Sequence, residues 1–207
     1  MPKAKVTSKF SVLGVMSITS LDGLDLALTT FIEEQGQWHY VLDKATCIGY
    51  QPTLRRALEQ SIEIDAAALC QLDKKLGRYI GEQIKEYFSG ASIDFIASHG
   101  HTIFHQPQKG ITLQIGCGHE IYKATGIPVI YDFRSRDVQL GGQGAPLVPI
   151  GDELLFGDFA ACLNLGGIAN LSFRQKEQRV AFDLMPFNMA LNSLAKEVGK
   201  AYDENGQ

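Results

Sequence analysis

The spacing of hydrophobic residues changes along the chain, and this change constrains the fold more than any other feature. Residues 10–16 and 24–31 are apolar and β-branched on either side of a polar loop, which predicts two strands joined by a turn. Residues 38–47 follow a turn-forming Gln-Gly-Gln sequence and predict a third antiparallel strand. Beyond Pro52, apolar residues recur at spacings of three and four, which predicts an amphipathic helix packed on a core. Its apolar positions are Leu69, Leu72, Leu76, Tyr79, Ile80, Ile84 and Phe88.

Short apolar segments and a helical segment alternate in the next part of the chain. Residues 94–97, 113–115 and 129–131 predict strands, and residues 120–125 predict a helix. Such alternation predicts a mixed α/β sheet.

The composition is that of a folded protein that acts on small molecules. Its 207 residues are 45% hydrophobic and 20% charged, which suits one large domain or two small ones. The 19 basic and 23 acidic residues give a net charge of -4 without a long basic run, so no nucleic-acid partner is expected. No apolar run approaches ~18 residues, and we expect a soluble cytoplasmic protein with no membrane partner. The four cysteines are far apart, which argues against disulfides and a zinc site.

A charged, glycine-rich segment covers residues 132–146 and follows an apolar run at residues 127–131. The apolar run predicts a short buried strand, which places Asp132 at its carboxyl end, where open α/β sheets form their ligand crevice. Asp132 is therefore a candidate catalytic base. A solvated glycine loop with surface ion pairs is the structural alternative.

A second strand-turn-strand pattern lies at residues 160–173, with Gly166 and Gly167 at the bend. It echoes the hairpin predicted for residues 10–31. Two such hairpins facing across a cleft can direct backbone N–H groups and hydroxyls at a polyphosphate. Glycine turns are common in hairpins, so a purely structural role stays open for each.

Five short motifs occur in order over nearly the whole chain. They are residues 15–25, 98–105, 113–116, 132–134 with 141–146, and 164–170. Together they resemble the motifs of the anhydro-N-acetylmuramic acid kinase family of the sugar kinase, Hsp70 and actin superfamily. The resemblance implies an α/β fold of the ribonuclease H-like actin/hexokinase/Hsp70 (ASKHA) class, in which two related lobes close over ATP. We expect a complete first lobe at residues 1–158 and the start of a truncated second lobe at residues 159–207.

The resemblance implies an ATP-dependent reaction on 1,6-anhydro-N-acetylmuramic acid, a sugar recycled from peptidoglycan. Water opens the anhydro bridge at C1 while the released O6 takes the γ-phosphate, giving N-acetylmuramic acid 6-phosphate and ADP. Asp132 matches the family's catalytic base, and an ionised carboxylate can take the proton of the attacking water.

The resemblance also assigns residues to ATP. Phosphoryl transfer depends on positioning and charge neutralisation more than on covalent help. Asp22 and Asp25 would position Mg²⁺ through water or hold the loop, and the metal is favoured because a carboxylate beside a triphosphate is repulsive unless a cation intervenes. The residues expected to bind ATP are Ser17, Ile18, Thr19, Ser20, Leu21, Asp22, Gly23, Leu24, Asp25, Asn164, Gly166 and Gly167.

The residues expected to bind the sugar are Asp22, His99, His101 and Arg134. The two histidines lie on a loop that in the family helps to form the sugar site. A packed or hydrogen-bonded structural role is the alternative for each.

Two arginines follow the candidate base. Arg134 and Arg136 could orient Asp132 or bind the anionic lactyl group of the sugar, since a guanidinium recognises a carboxylate in a bidentate manner. An ion pair with Asp137 or with a distant acid is an equal alternative for Arg136.

The chain departs from the family pattern in two places. Ile18 stands where the family's phosphate loop has a glycine, and its β-branched side chain would be strained and would crowd the nucleotide. Residues 182–188 occupy the place of a glycine-rich segment, in which Asp183, Pro186 and Asn188 match but the glycines do not.

Family members are also expected to continue beyond Gln207, so we expect catalysis only when the rest of the fold is supplied. A non-catalytic sugar-binding remnant, or a related ATPase or hydrolase that uses Asp132 on another substrate, stays open. A homodimer is also open.

We predict that Ile18 weakens ATP binding and that Ile18→Gly increases nucleotide affinity, because glycine allows backbone to approach a phosphate closely. Titration calorimetry with ATP and a turnover assay test this. Unchanged affinity and turnover in the variant would contradict it.

Overall fold

The computed structural model describes residues 7–17, 21 and 23–200. These residues form two compact units that divide between Ala145 and Pro146. No helix in the described ranges is long and apolar enough to cross a membrane. The predicted lobe boundary after residue 158 concerns a full-length family protein and stays a prediction.

A five-stranded mixed sheet forms the centre of the first unit, as the alternation of strand and helix predicts. The strand order is β3-β2-β1-β4-β7. The first three strands are antiparallel neighbours, whereas β4 runs parallel to β1 and β7 runs parallel to β4. The strands are β1 Thr7–Ser17, β2 Leu24–Glu34, β3 Gln37–Ile48, β4 Phe95–Ser98 and β7 Val129–Tyr131.

Helices and a small two-stranded sheet complete the first unit. The helices are α1 Pro52–Glu59, α2 Ala66–Tyr87, α3 Gly118–Thr125 and α4 Ser135–Gln139, and the two strands are β5 His101–Gln106 and β6 Ile111–Ile115. Asp65 caps α2, since its carboxylate accepts the backbone N–H of Ala68 at 2.8 Å. The predicted amphipathic helix is confirmed.

The core of the first unit lies between the sheet and α2. Alternate residues of the strands are buried, as the period of two requires, and these are Leu13 and Val15 in β1, Leu24, Leu26 and Leu28 in β2, and Ile96 in β4. Leu72, Leu76, Ile80 and Ile84 cover them from α2. Each such side chain contributes about 1.5–3 kcal/mol by leaving water.

Two glycines let α2 lie close to the segment that contains α3. A Cβ atom on Gly77 would lie 2.5 Å from the carbonyl oxygen of Cys117, and one on Gly81 would lie 2.5 Å from the Cβ atom of Ala124. The close approach brings the carboxyl end of β6 against α2. Asp73 of α2 fixes this end, since its Oδ1 accepts the Gly116 N–H at 2.8 Å.

The second unit contains a three-stranded antiparallel sheet in the order β10-β9-β8. Its elements are α5 Pro149–Leu155, β8 Ala161–Leu165, β9 Ile168–Gln175, β10 Gln178–Pro186 and α6 Asn188–Glu197. The predicted second hairpin is therefore confirmed, and a third strand extends it as β3 extends the first hairpin. Each unit begins its sheet with three sequential antiparallel strands.

A buried ionic cluster joins α5 to the second sheet. The Arg179 side chain is only 4% exposed, and its Nε donates to Glu153 Oε2 at 2.9 Å. Arg174 pairs with the other oxygen of Glu153, and the Ser172 hydroxyl donates to Asp152 at 2.5 Å. Breaking such a cluster leaves a buried charge unpaired, so these side chains tie α5 to β9 and β10.

The structure corrects the prediction that residues 127–131 form a buried strand. The strand is β7, and it lies at the edge of the sheet with Ile130 50% and Tyr131 43% exposed. An apolar run marks a strand but does not tell a central strand from an edge strand, because both bury one face.

The packing predicts opposite effects of alanine at two helical glycines. Gly77→Ala should lower the free energy of unfolding by about 1–3 kcal/mol, because the new methyl group would overlap the backbone of Cys117. Gly151→Ala in α5 meets no atom within 4 Å and should raise it by up to about 1 kcal/mol through helix propensity. Urea unfolding followed by circular dichroism measures both, and equal stability of the two variants would refute the packing argument.

Candidate active site

Three parallel strands bring the predicted site residues of the first unit together at their carboxyl ends. In the register of the sheet, Val15 lies opposite Ser98 and Ser98 lies opposite Tyr131. His99 and Asp132 directly follow the last paired residues of β4 and β7. Because neighbouring strands are about 4.8 Å apart, these two residues extend from adjacent strand ends, where α/β sheets bind ligands.

Asp132 has an unusual backbone conformation. Its φ is 59°, in the left-handed region, which aspartate tolerates better than most residues other than glycine. The side chain is exposed, and among the described residues it makes no hydrogen bond or ion pair. The carboxylate is free to meet a ligand, and its role as a base stays a prediction.

His99 makes two hydrogen bonds that fix its protonation state. Its Nδ1 lies 3.0 Å from the carbonyl oxygen of Gly100, and Arg134 Nε donates to its Nε2 at 2.9 Å. A carbonyl only accepts, so Nδ1 carries the proton, while Nε2 accepts and carries none. His99 is therefore neutral, and both ring nitrogens are engaged within the protein.

The guanidinium of Arg134 is held by neutral acceptors. Besides His99, it contacts the carbonyl oxygen of Gly144, to which Nη1 donates at 2.5 Å. No aspartate or glutamate in the described ranges forms an ion pair with Arg134. Burial lowers the pKa of Arg134 from its ordinary value. Its positive charge is oriented but not neutralised, which favours the predicted role in binding an anion.

The structure places His101 in a strand rather than in a loop. It is the first residue of β5, and it is buried. Its Nδ1 lies 3.1 Å from the Ser17 hydroxyl, which is itself only 2% exposed. Tyr50 lies beside this pair, and burial raises the pKa of Tyr50 to about 12, with Ser17 opposing the shift in part. The Ser17 hydroxyl is thus directed at the protein interior at the end of β1.

The loop between β1 and β2 lies partly outside the described residues. Ile18, Thr19, Ser20 and Asp22 are among those not described, so the predictions made for them stay predictions. Leu21 has a φ of 58°, and its side chain packs against the core. Gly23 is required for close packing, since a Cβ atom there would lie 2.5 Å from the Ile48 carbonyl oxygen.

Leu24 and Asp25 begin β2 and lie on opposite faces of the sheet. Leu24 is fully buried, whereas Asp25 is half-buried and lies opposite Met16. The described residues contain no cluster of three or more metal-ligating side chains. Mg²⁺ bound mainly by ATP phosphates needs only one or two protein carboxylates, and Asp25 is compatible with that.

The turn between β8 and β9 is bound by the start of α6. The backbone N–H groups of Phe187 and Asn188 donate to the carbonyls of Gly167 and Gly166 at 2.9 and 3.1 Å. The Asn188 side chain adds a bond to the Leu165 carbonyl oxygen at 3.1 Å. The start of α6 therefore holds the turn predicted to bind ATP through the carbonyl groups of that turn.

Three polar side chains of the second unit share one face of its sheet. Asn164 pairs across the strands with Asn170, and Asn170 pairs with Asp183. A β-bulge follows Asp183 in β10, at the segment where the family's glycines are absent. The row places Asp183 on the same face of the sheet as Asn164, and the Asn164 side chain lies near Gly166.

Sequence reasoning missed several residues that build the site. Asp73 binds Gly116, which lies against Gly100 between the two histidines. Asp137 binds the glycine loop, as described below. Tyr50 is buried near Ser17. The sequence suggests Asp137 only as a partner of Arg136 and does not mark Asp73 or Tyr50, so only the fold shows where these three residues lie.

The chain was compared with known proteins. A family profile for anhydro-N-acetylmuramic acid kinase matches residues 10–207. The chain is 40% identical over 207 residues to the anhydro-N-acetylmuramic acid kinase of Pseudomonas putida and 36% identical over 209 residues to that of Legionella pneumophila strain Paris. In both cases 94% of this chain and 56% of the relative are covered. The corresponding enzyme of Bacillus cereus is 37% identical, with 95% and 57% covered.

Among solved structures, the PPX-GPPA enzyme of Aquifex aeolicus matches with a TM-score of 0.40 and 8% identity. The match covers 91% of this chain and 56% of that chain. This likeness is too low to support a conclusion.

The two histidines predict that acid destabilises the fold. Burial is the main cause that lowers the pKa of His99 and of His101 from 6.5, and the charge of Arg134 lowers that of His99 further. In the unfolded chain both histidines take up protons near pH 6.5, so below that pH the unfolded state binds more protons and the free energy of unfolding falls. Above it, this contribution to the pH dependence is absent.

Urea unfolding between about pH 7.5 and about pH 5 measures this effect. The double variant His99→Gln/His101→Gln should lose less stability over this range than the natural chain. Equal losses would show that these rings do not cause the acid sensitivity.

Proposed function

We propose a function from the premise that this chain belongs to the anhydro-N-acetylmuramic acid kinase family. The chain spans about 56% of the length of the curated relatives it matches. We propose that it forms part of an ATP-dependent kinase that opens 1,6-anhydro-N-acetylmuramic acid and phosphorylates O6, giving N-acetylmuramic acid 6-phosphate in peptidoglycan recycling. The observation that carries this proposal is that His99 and Asp132 directly follow the carboxyl ends of two neighbouring parallel strands, with Arg134 two residues beyond Asp132.

We propose further that the first unit belongs to the first lobe of a ribonuclease H-like fold and that the second lobe begins within the second unit, after residue 158. The repeated pattern of three sequential antiparallel strands, β1-β2-β3 and β8-β9-β10, supports this. In the first unit two parallel strands and their helices follow, while in the second the described residues end shortly after α6.

The sugar side of the reaction rests on Arg134. The substrate carries a lactyl carboxylate, and a guanidinium held by two neutral acceptors is suited to bind it. His99 already uses both ring nitrogens, so its contribution to sugar binding passes through Arg134. His101 and Ser17 act from within the protein, by supporting the end of β1.

The water that attacks C1 needs a base, and two carboxylates can supply it. Asp132 is free of hydrogen bonds within the described residues and follows β7. Asp183 lies in the row with Asn164 and Asn170 and matches the family's acidic segment. We retain Asp132 as the base because it follows the strand beside His99, and the assay below compares the two directly.

The ATP side rests on the two hairpin turns. We propose that the backbone of residues 18–23 and of the Gly166–Gly167 turn contacts the phosphates, with Asn164 beside the second turn. When bound, Mg²⁺ would neutralise phosphate charge, and Asp22 and Asp25 are the carboxylates predicted to hold it through water. Leu21 and Leu24 anchor the loop by packing inward.

The proposal is tested first by binding and product analysis. The chain is titrated separately with the anhydro sugar and with ATP, and mass spectrometry follows conversion to the sugar 6-phosphate. Formation of this product supports the kinase. Sugar binding without product indicates a non-catalytic sugar-binding protein, and phosphate release without sugar phosphate indicates an ATPase or hydrolase.

For the active protein, Asp132→Asn should lower kcat by about 10²–10⁴-fold, since general base catalysis contributes about that much. Asp158→Asn removes an exposed carboxylate outside the site and serves as the control. A loss confined to Asp183→Asn would assign the base to Asp183 and refute the role of Asp132.

A further inference from the structure

One residue of the glycine loop, Gly144, is held through both its N–H and its C=O by residues of the α4 region. Asp137 Oδ2 accepts the Gly144 N–H at 2.6 Å. On the other side, Arg134 Nη1 donates to the Gly144 carbonyl oxygen at 2.5 Å. Asp137 and Arg134 therefore contact the same residue without forming an ion pair with each other.

Glycine is required at two positions of this loop for Asp137 to reach Gly144. A Cβ atom on Gly142 would lie 2.2 Å from Asp137 Oδ2, so the carboxylate lies directly against the Gly142 backbone. Gly144 has a φ of 65°, and a Cβ atom there would lie 2.7 Å from Val138 Cγ2. The Gly142 N–H also donates to the backbone carbonyl of Asp137 at 2.8 Å. These N–H groups are used within the loop and do not face a ligand.

A continuous set of hydrogen bonds leads from this loop to the neighbouring strand end. Asp137 binds Gly144, Gly144 binds Arg134, Arg134 binds His99, and His99 binds Gly100. The carboxylate fixes the guanidinium only through the backbone of Gly144. This arrangement holds the side chain of Arg134 in place and leaves its charge without a counterion.

We propose that Asp137 and His99 are positioning residues that hold Arg134 ready for a carboxylate on the ligand. The identity of that carboxylate, the lactyl group of the sugar, rests on the proposed function. The arrangement itself rests only on the hydrogen bonds of the described residues.

Two sugars that differ in the lactyl group test the proposal. 1,6-Anhydro-N-acetylmuramic acid carries the group, and 1,6-anhydro-N-acetylglucosamine lacks it. Asp137→Ala should weaken binding of the first by about tenfold or more, because a charge-assisted hydrogen bond is lost from the set that orients Arg134. Binding of the second should not change. Gln139→Ala, on the exposed side of the same helix, is the control and should bind both sugars as the natural chain does.

Amide exchange and ring ¹⁵N spectra of the protein without ligand test the arrangement independently of sugar binding. Exchange of the Gly144 amide should be about tenfold faster in Asp137→Ala. The natural chain should show His99 protonated at Nδ1 alone, and Asp137→Ala should shift its Nε2 signal as the bond from Arg134 weakens. If Asp137→Ala does not fold, Asp137→Asn should show intermediate changes, because the amide oxygen still accepts a hydrogen bond without the charge.

The proposal is wrong if Gly144 exchange and the His99 spectrum are unchanged, or if both sugars lose affinity equally. If the natural chain binds neither sugar, the proposed function fails, while Gly144 exchange and the His99 tautomer still decide whether Asp137 and His99 position Arg134.

Discussion

The parallel pairing of β4 with β1 on one side and β7 on the other determines where the candidate site of the first unit lies. β4 has only four residues, and its Ile96 is fully buried beneath α2. If its register shifted by one residue, Ile96 and Ser98 would exchange faces with their neighbours and the core would open. The same register sets His99 beside Asp132. Packing of the core thus fixes the chemistry at the strand ends.

The main elements of the fold could be predicted because their hydrophobic patterns are strong. Alternate burial in β1 and β2 and the regular apolar face of α2 are local signals. The edge position of β7 could not be predicted, because it depends on which strands pair. The start of β5 at His101 could not be predicted for a similar reason. A segment with several histidines resembles a loop in sequence, and its pairing with β6 is known only from the fold. The short helices α4 and α5 contain too few residues for a clear period.

The candidate site was predicted better in its residues than in its contacts. Asp132 follows the end of a strand, as predicted, and the structure places His99 at the end of the neighbouring strand, while the roles of both residues stay predictions. The hydrogen bond between Arg134 and His99 depends on Asp137 and Gly144 to hold the guanidinium in place, and this arrangement cannot be predicted from the sequence. The glycines of residues 141–144 show the difference clearly. In sequence they belong to a charged, glycine-rich segment for which a solvated loop is the structural alternative, whereas in the structure Gly142 and Gly144 donate their N–H groups to Asp137.

Charge is arranged at this site in a way that stability alone does not require. Arg134 is half-buried with only neutral acceptors, although Asp132 is two residues away and Asp137 contacts the same loop. A carboxylate partner would stabilise a half-buried cation, so the fold is less stable than it would be if Asp132 or Asp137 paired with Arg134. The left-handed backbone at Asp132 adds local strain. Departures from the most stable arrangement gather at functional sites, because a ligand supplies the missing interaction. The unpaired guanidinium and the exposed carboxylate are therefore the two groups that the proposed function requires here, one to bind an anion and one to accept a proton.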